Sequence, residues 1–226
     1  MKKQILRVIV GSQAHGLATP ESDFDYRGVF IYPTSELMQL QPPADQTSWI
    51  EGKEDDTSWE LKKFLFLATK CNPTVLETFL SPIAPSDHLI DKFDLYAEEL
   101  RRLFPYVWNS TDVRNAYIGY GLNQRKKFLD NENKRQPKYA VAYLRSLYNA
   151  YEILKYGTFS VDMSQTEIYD TLKKWKSGDF SLGEVINMTK AWEVLVDEQY
   201  TSKPHKETNE RPINDFLLKV RKENWE

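Results

Sequence analysis

Apolar positions near the start of the chain come in short extended runs and then change to helical spacing. Residues 5–10 and 24–32 predict two neighbouring strands. A proline-bearing loop, 33–46, leads to a third strand around Asp56. From residue 61 to 69 the apolar positions recur as on a helix, which Asn72-Pro73 stops. Asn72 is placed to cap a short helix over 74–80, with Pro73 at its first position. Residues 87–103 are amphipathic and Pro105 ends them, while Asp112 can cap a helix running to Leu129.

After Pro137 comes the most regular helix. Ala140, Leu144, Leu147, Tyr151 and Leu154 recur at steps of four and three, which predicts a buried stripe, and Gly157 closes it. Lys138 and Arg145, seven apart, share another face. Ser181 and Glu184 form a capping box for a further helix. Residues 200–211 are polar and read as an irregular tail before a final helix from Asn214. The chain has no internal repeat and no low-complexity tract. These elements predict an α+β fold: a small mixed β-sheet core with flanking helices over 1–82, then an all-helical C-terminal part over 83–226.

The candidate chemistry lies where the first two strands meet. Gly11-Ser12 follows the first apolar run, and Asp23 and Asp25 stand one residue apart in the second. Alternation on a strand puts Asp23, Asp25 and Arg27 on one face and turns Phe24 and Tyr26 into packing. Two carboxylates that close repel unless a cation neutralises them. A pair of Mg²⁺ ions roughly 4 Å apart would do so while gripping attacking and leaving oxygens. Gly11 lets a phosphate approach the backbone, and Ser12 offers a hydroxyl and an N–H at a helix start. Taken alone, a D-x-D pair is common on protein surfaces. A calcium loop matches at Asp23, Asp25 and Gly28 but fails at Arg27 and Thr34. A secretory signal is set aside, because Arg7 interrupts a stretch already too short.

Gly-Ser, ten residues, then Asp-Phe-Asp resembles the signature of the DNA polymerase β-like nucleotidyltransferase superfamily. The fuller string GSQAHGLATPESDFDYRGVF is similar to a narrower bacterial and phage group, the RNA-repair-pathway polymerase-β family. Residues 60–79, 138–159 and the SKP and RPINDFLLKV segments also fit that group, so the resemblance spans nearly the whole chain. It implies a nucleotidyltransferase core over 1–82 and a helical domain over 83–226 covering the nucleotide or acceptor site. It implies in-line attack of an acceptor hydroxyl on the α-phosphorus of a nucleoside triphosphate such as ATP, with pyrophosphate leaving.

Under that resemblance Asp23 and Asp25 ligate two Mg²⁺ ions, with Mn²⁺ as a substitute, and a third carboxylate stands on the neighbouring strand. Glu54, Asp55, Asp56 and Glu60 are the nearby candidates. Asp56 is the choice for third ligand and for taking the acceptor's proton, with Glu60 in reserve; the other reading of the cluster is a solvated acidic loop. Gly11, Ser12, Ser22, Arg27, Lys63, Lys138 and Arg145 are the nucleotide-binding candidates, with Ser12 on the β or γ phosphate. Arg27 either meets phosphate or pairs with an aspartate. Asn72 and Glu77 are weaker candidates. The other function class is a non-catalytic nucleotide-binding or interaction module that keeps the fold.

Composition narrows the setting. In 226 residues, 41% hydrophobic, there is one cysteine, so no internal disulfide forms, which fits a reducing cytoplasm. No apolar run is long enough to cross a bilayer. His15, His88 and His205 are scattered without metal-ligand spacing; His15, in the signature loop, can approach the nucleotide but reads first as an exposed loop residue. A net charge of −3 argues against a broad nucleic-acid surface. Residues 122–156 nevertheless carry eight basic side chains against three acidic ones, net +5, with tyrosines among them. That stretch can track an RNA acceptor or a triphosphate, or be a solvated helix face over a tyrosine-rich core. The acceptor (RNA end, small molecule or protein side chain), the preferred base and the oligomeric state are not legible.

Overall fold

A computed structural model describes residues 2–47, 56–85, 92–130 and 135–226 of the protein. The fold is α+β. Strand β1 (Lys3–Val10) is followed at once by a single helical turn, α1 (Gly11–Ala14), and then by β2 (Asp25–Ile31). A second short turn, α2 (Thr34–Leu37), precedes β3 (Asp56–Glu60). The remaining elements are helical: α3 (Leu61–Thr69), α4 (Pro73–Leu80), α5 (Lys92–Arg102), α6 (Phe104–Val107), α7 (Ser110–Leu129), α8 (Gln136–Tyr156), α9 (Tyr169–Lys176), α10 (Leu182–Ser202) and α11 (Glu210–Glu223).

The described residues fall into two compact units. One comprises Met1–Thr69, Thr74–Val107 and Thr208–Glu226; the other comprises Lys70–Pro73 and Trp108–Glu207. The sheet unit therefore includes α5, α6 and α11 as well as the strands, and α7 to α10 form the other.

The sheet has the order β1-β2-β3, antiparallel between β1 and β2 and parallel between β2 and β3. Val10 faces Asp25, Val8 faces Arg27, Tyr26 faces Asp56 and Phe30 faces Glu60. One face carries Val8, Val10, Val29, Ile31 and Trp59, all buried. It supplies the apolar set that β-branched strand residues are suited to pack. Aromatic rings continue that core: Trp59 to Phe64 at 6.1 Å, Phe64 to Phe79 at 4.8 Å and Phe79 to Phe104 at 6.0 Å. The outer edge of β1 is covered by residues 82–84, through Ile9 N–H to Pro82 O and Ala84 N–H to Arg7 O, both 2.9 Å. The outer edge of β3 is covered by Asp45 and Thr47. Both edges of the sheet are thus partly covered within the unit.

Helix α11 docks onto the same unit. Asn224 O accepts from Thr34 N–H at 2.8 Å, and Tyr96 donates to Glu223 at 2.6 Å. It begins four residues before the expected Asn214, capped by Asn209, because Pro212 lies in its first turn, where a missing N–H is harmless. Likewise α10 runs on to Ser202, through residues expected to be irregular. Helix α5 ends at Arg102, one residue short of the expected Leu103, and its expected start at 87–91 lies outside the described residues; Pro105 lies in the first turn of α6.

In the helical unit α8 packs against α7, α9 and α10. With neighbours on three sides it buries more than one stripe: Tyr143, Ala150 and Ile153 are as inaccessible as Ala140, Leu144 and Leu147, whereas Tyr151 is half-buried. Gly157 closes it in the left-handed conformation, φ 82°. The cap of α7 is Asn109, not Asp112. Asn109 Oδ1 accepts from Asp112 N–H at 2.8 Å while its Nδ2 donates to the Asp112 carboxylate at 2.9 Å, so the two residues brace the start of α7 reciprocally. Ser181 caps α10 as expected, accepting from Glu184 N–H at 3.1 Å. Burial pushes the thiol of Cys71 up to about 12. No helix among the described residues is long and apolar enough to cross a membrane.

Candidate active site

The end of the β1–β2 pair brings together the two halves of the signature. Gly11 takes φ 68°, a conformation that penalises any Cβ. It also sits against Asp25: a Cβ there would lie 2.5 Å from Asp25 Oδ2. Only glycine lets this carboxylate rest on the turn that follows β1.

The turn is held from several sides. His15 N–H and Leu17 N–H bond to Gly11 O and Ser12 O at 3.1 and 3.0 Å. The His15 side chain is buried, 7% exposed, and shares a 2.7 Å hydrogen bond with Glu77 of α4, so it is not the exposed loop residue expected. Gln13 Nε2 donates to Ser22 O at 3.1 Å, and Ser22 Oγ accepts from Thr19 N–H at 2.9 Å. Those bonds fix the loop that delivers Asp23 to the turn bearing Ser12. Ser22 thus closes a loop with its hydroxyl; Ser12 is half-buried.

Strand β2 starts at Asp25, so Asp23 and Phe24 precede the ladder. Asp23 is exposed, Asp25 half-buried. Phe24 is not packed inward as strand alternation predicts: it is 48% exposed and lies near-parallel to Tyr26, ring centroids 6.4 Å apart. Arg27 shares the Asp25 face through the β1–β2 register and donates to Tyr26 O at 2.7 Å.

The sheet does not bring Asp56 to Asp25. Paired residues of neighbouring strands share a face, and Asp56 is paired with Tyr26. On that opposite face Arg7 reaches both: its guanidinium lies 3.1 Å from Asp56 Oδ2 and 3.7 Å from the Tyr26 ring centroid. The hint in the sequence is Arg7 itself, a cation inside an apolar strand. Glu60 is committed elsewhere, 3% exposed, 2.7 Å from Arg221 of α11, and accepting from Lys62 N–H at 2.8 Å at the start of α3. Glu54 and Asp55 lie outside the described residues. Thr57, one residue after Asp56, has the Asp25 and Arg27 face.

Lys63 lies on α3, 3.4 Å from Asp45. Lys138 and Arg145 belong to the helical unit, on α8, the first exposed and the second half-buried. Among the described residues no three His, Cys, Asp or Glu side chains gather as a metal cluster. The donor at Gly11 is the Asp25 carboxylate, one oxygen of which rests on the backbone turn without steric cost, and Asp23 stands two residues before it in the chain. It fits Mg²⁺, which characteristically takes one or two protein carboxylates and completes its shell with water and substrate phosphate.

Residues 2–215 match the RNA repair pathway DNA polymerase beta family. The chain belongs to that family. The polymerase-β-family chain is 27% identical over 157 residues to the uncharacterized protein YcgL of Bacillus subtilis, covering 69% of this chain and 58% of that one. It is also 27% identical over 139 residues to an uncharacterized 38.9 kDa protein from the nrdC-mobD intergenic region of Enterobacteria phage T4, covering 56% of this chain and 39% of that one. The matched region is thus less than two thirds of either relative's length. No solved structure matches the chain significantly. Membership places this polymerase-β-family chain in the polymerase β-like nucleotidyltransferase superfamily.

Proposed function

We propose that the protein is a metal-dependent nucleotidyltransferase, moving a nucleoside monophosphate from a nucleoside triphosphate to an acceptor hydroxyl. The observation that carries this reading is the seating of Asp25 against the side-chain-free face of Gly11, next to Ser12 and the loop bearing Asp23. The bond formed joins the acceptor oxygen to the α-phosphorus, and the bond broken releases pyrophosphate; the proton of the hydroxyl passes to water. Asp23 and Asp25 are the residues that would hold Mg²⁺ or Mn²⁺, which when bound neutralises charge on the phosphoryl oxygens. Gly11 admits phosphate to the backbone, the Ser12 hydroxyl donates to a β or γ oxygen, and Arg27 offsets charge on the same face. Asp56 is left to hold Arg7. The family's description as an RNA repair pathway supports an RNA end as acceptor, over a small molecule or protein side chain.

A nucleotide-binding module without catalysis is the second reading. The Arg7–Asp56 pair favours it, because it draws a carboxylate of β3 to the other face. The test is incubation with each α-labelled nucleoside triphosphate, Mg²⁺, and RNA, protein or small-molecule acceptors. Label transfer that fails in D23N/D25N supports the enzyme and names the acceptor class. Metal-dependent binding without transfer supports the module.

A further inference from the structure

Phe24 holds neither the metal nor the phosphates in that reaction. It stands between the two aspartates in the chain, and its apolar ring is 48% exposed. Its ring is ordered by a neighbour, lying at 17° to Tyr26. Tyr26 is in turn held by the Arg7 guanidinium at 3.7 Å, and Arg7 by Asp56 at 3.1 Å. This is a chain of planar groups, anchored to three strands, that ends in an open aromatic surface at the Gly11–Asp25 end of the sheet. An aromatic ring with a fixed tilt and a free surface offers what a nucleobase needs to stack, and arginine-backed aromatics are suited to it.

The position suits the same ligand. Neighbouring side chains of an extended segment diverge to opposite sides of the backbone. A nucleotide likewise sends its phosphate and its base in different directions from one sugar. A phosphate on the Asp25 side thus leaves a base free to reach the Phe24 side.

We propose that Phe24, backed by Tyr26 and Arg7, is a stacking platform for a nucleobase. The inference rests on the nucleotidyltransferase reading and deepens it by assigning the base a seat. The base can come from the incoming nucleotide or from the terminal residue of an RNA acceptor, and the two sources separate experimentally. Binding is measured for wild type, F24A and F24W with α,β-methylene analogues of the four nucleoside triphosphates, inorganic tripolyphosphate, and a short oligoribonucleotide with a normal or an abasic 3′ end, all in Mg²⁺.

F24A is expected to weaken a base-bearing probe by about tenfold and F24W to restore it, with base-free probes unaffected. Loss confined to the triphosphate analogues assigns the platform to the incoming nucleotide. Loss confined to the oligoribonucleotide with its normal end assigns it to the acceptor. If F24A binds every probe as wild type does, or loses tripolyphosphate equally, the platform is overturned while the wider reading stands. If wild type binds none of the probes, both are overturned.

Discussion

Asp25 Oδ2 occupies the space in which a side chain on Gly11 would begin. Gly11→Ala therefore meets two penalties, a backbone at φ 68° and a displaced carboxylate. We expect it to lower stability by about 1–2 kcal/mol and nucleotide transfer by at least about tenfold. Thermal unfolding and initial rates measured side by side would check this; a fully active, undiminished variant would refute the seating of Asp25.

The carboxylates themselves are cheap to neutralise structurally. Asp23 is exposed, so Asp23→Asn should unfold close to the wild-type temperature, and Asp25→Asn keeps the shape of a half-buried side chain. Transfer should fall by about 10³-fold or more in each. Activity within a few-fold of wild type in either would sink the metal-holding role.

Asp56→Asn should behave differently. Its partner Arg7 is on the face away from Asp25, and the pair is partly exposed, so we expect transfer within about threefold of wild type and a stability loss under about 1 kcal/mol. A dead D56N enzyme would show that Asp56 acts on the reacting groups and not only on Arg7.

Glu60 and Arg221 form a buried pair, so removing one partner strands the other. Glu60→Ala should cost about 3–5 kcal/mol, and replacing both by apolar residues of similar size should recover most of it. Chemical denaturation of the single and double variants measures both. Equal losses would mean that the packing of α11, rather than the charge pair, carries the stability.

Cys71 offers a pH test. Its thiol is pushed by burial from an ordinary value near 9 to about 12, so the folded state holds its proton where an unfolded chain releases it. Its contribution to stability is whole below about pH 9 and is lost as pH rises towards 12. At pH 8 the native protein should resist iodoacetamide, while denaturant exposes one reactive thiol. Rapid native labelling would contradict the burial.

The strands and main helices were legible because each carries its own period. Residues 61–69 switch from alternation to helical spacing at Leu61, and α3 begins there. Gly11, Ser12, Asp23 and Asp25 were legible because their spacing is local. What escaped depends on partners far along the chain. Asp56 and Asp55 look alike in sequence; only the pairing of Asp56 with Tyr26 separates their candidacies. His15 reads as a loop residue until Glu77, sixty-two positions on, encloses it. Phe24 reads as strand interior because one residue of strand length decides whether it packs or stays open.

The sheet unit has consequences for biosynthesis. Its last helix is separated from its strands by the whole of residues 108–207, and Tyr106 and Asn209 are stitched together by a 3.0 Å bond across that excursion. Glu60 leaves the ribosome 161 residues ahead of Arg221, a delay on the order of ten seconds at ordinary elongation rates. Throughout that interval the nascent strands carry a carboxylate whose cation has not been made. The helical unit is synthesised entirely within the same interval, so the sheet unit is begun before it and completed after it.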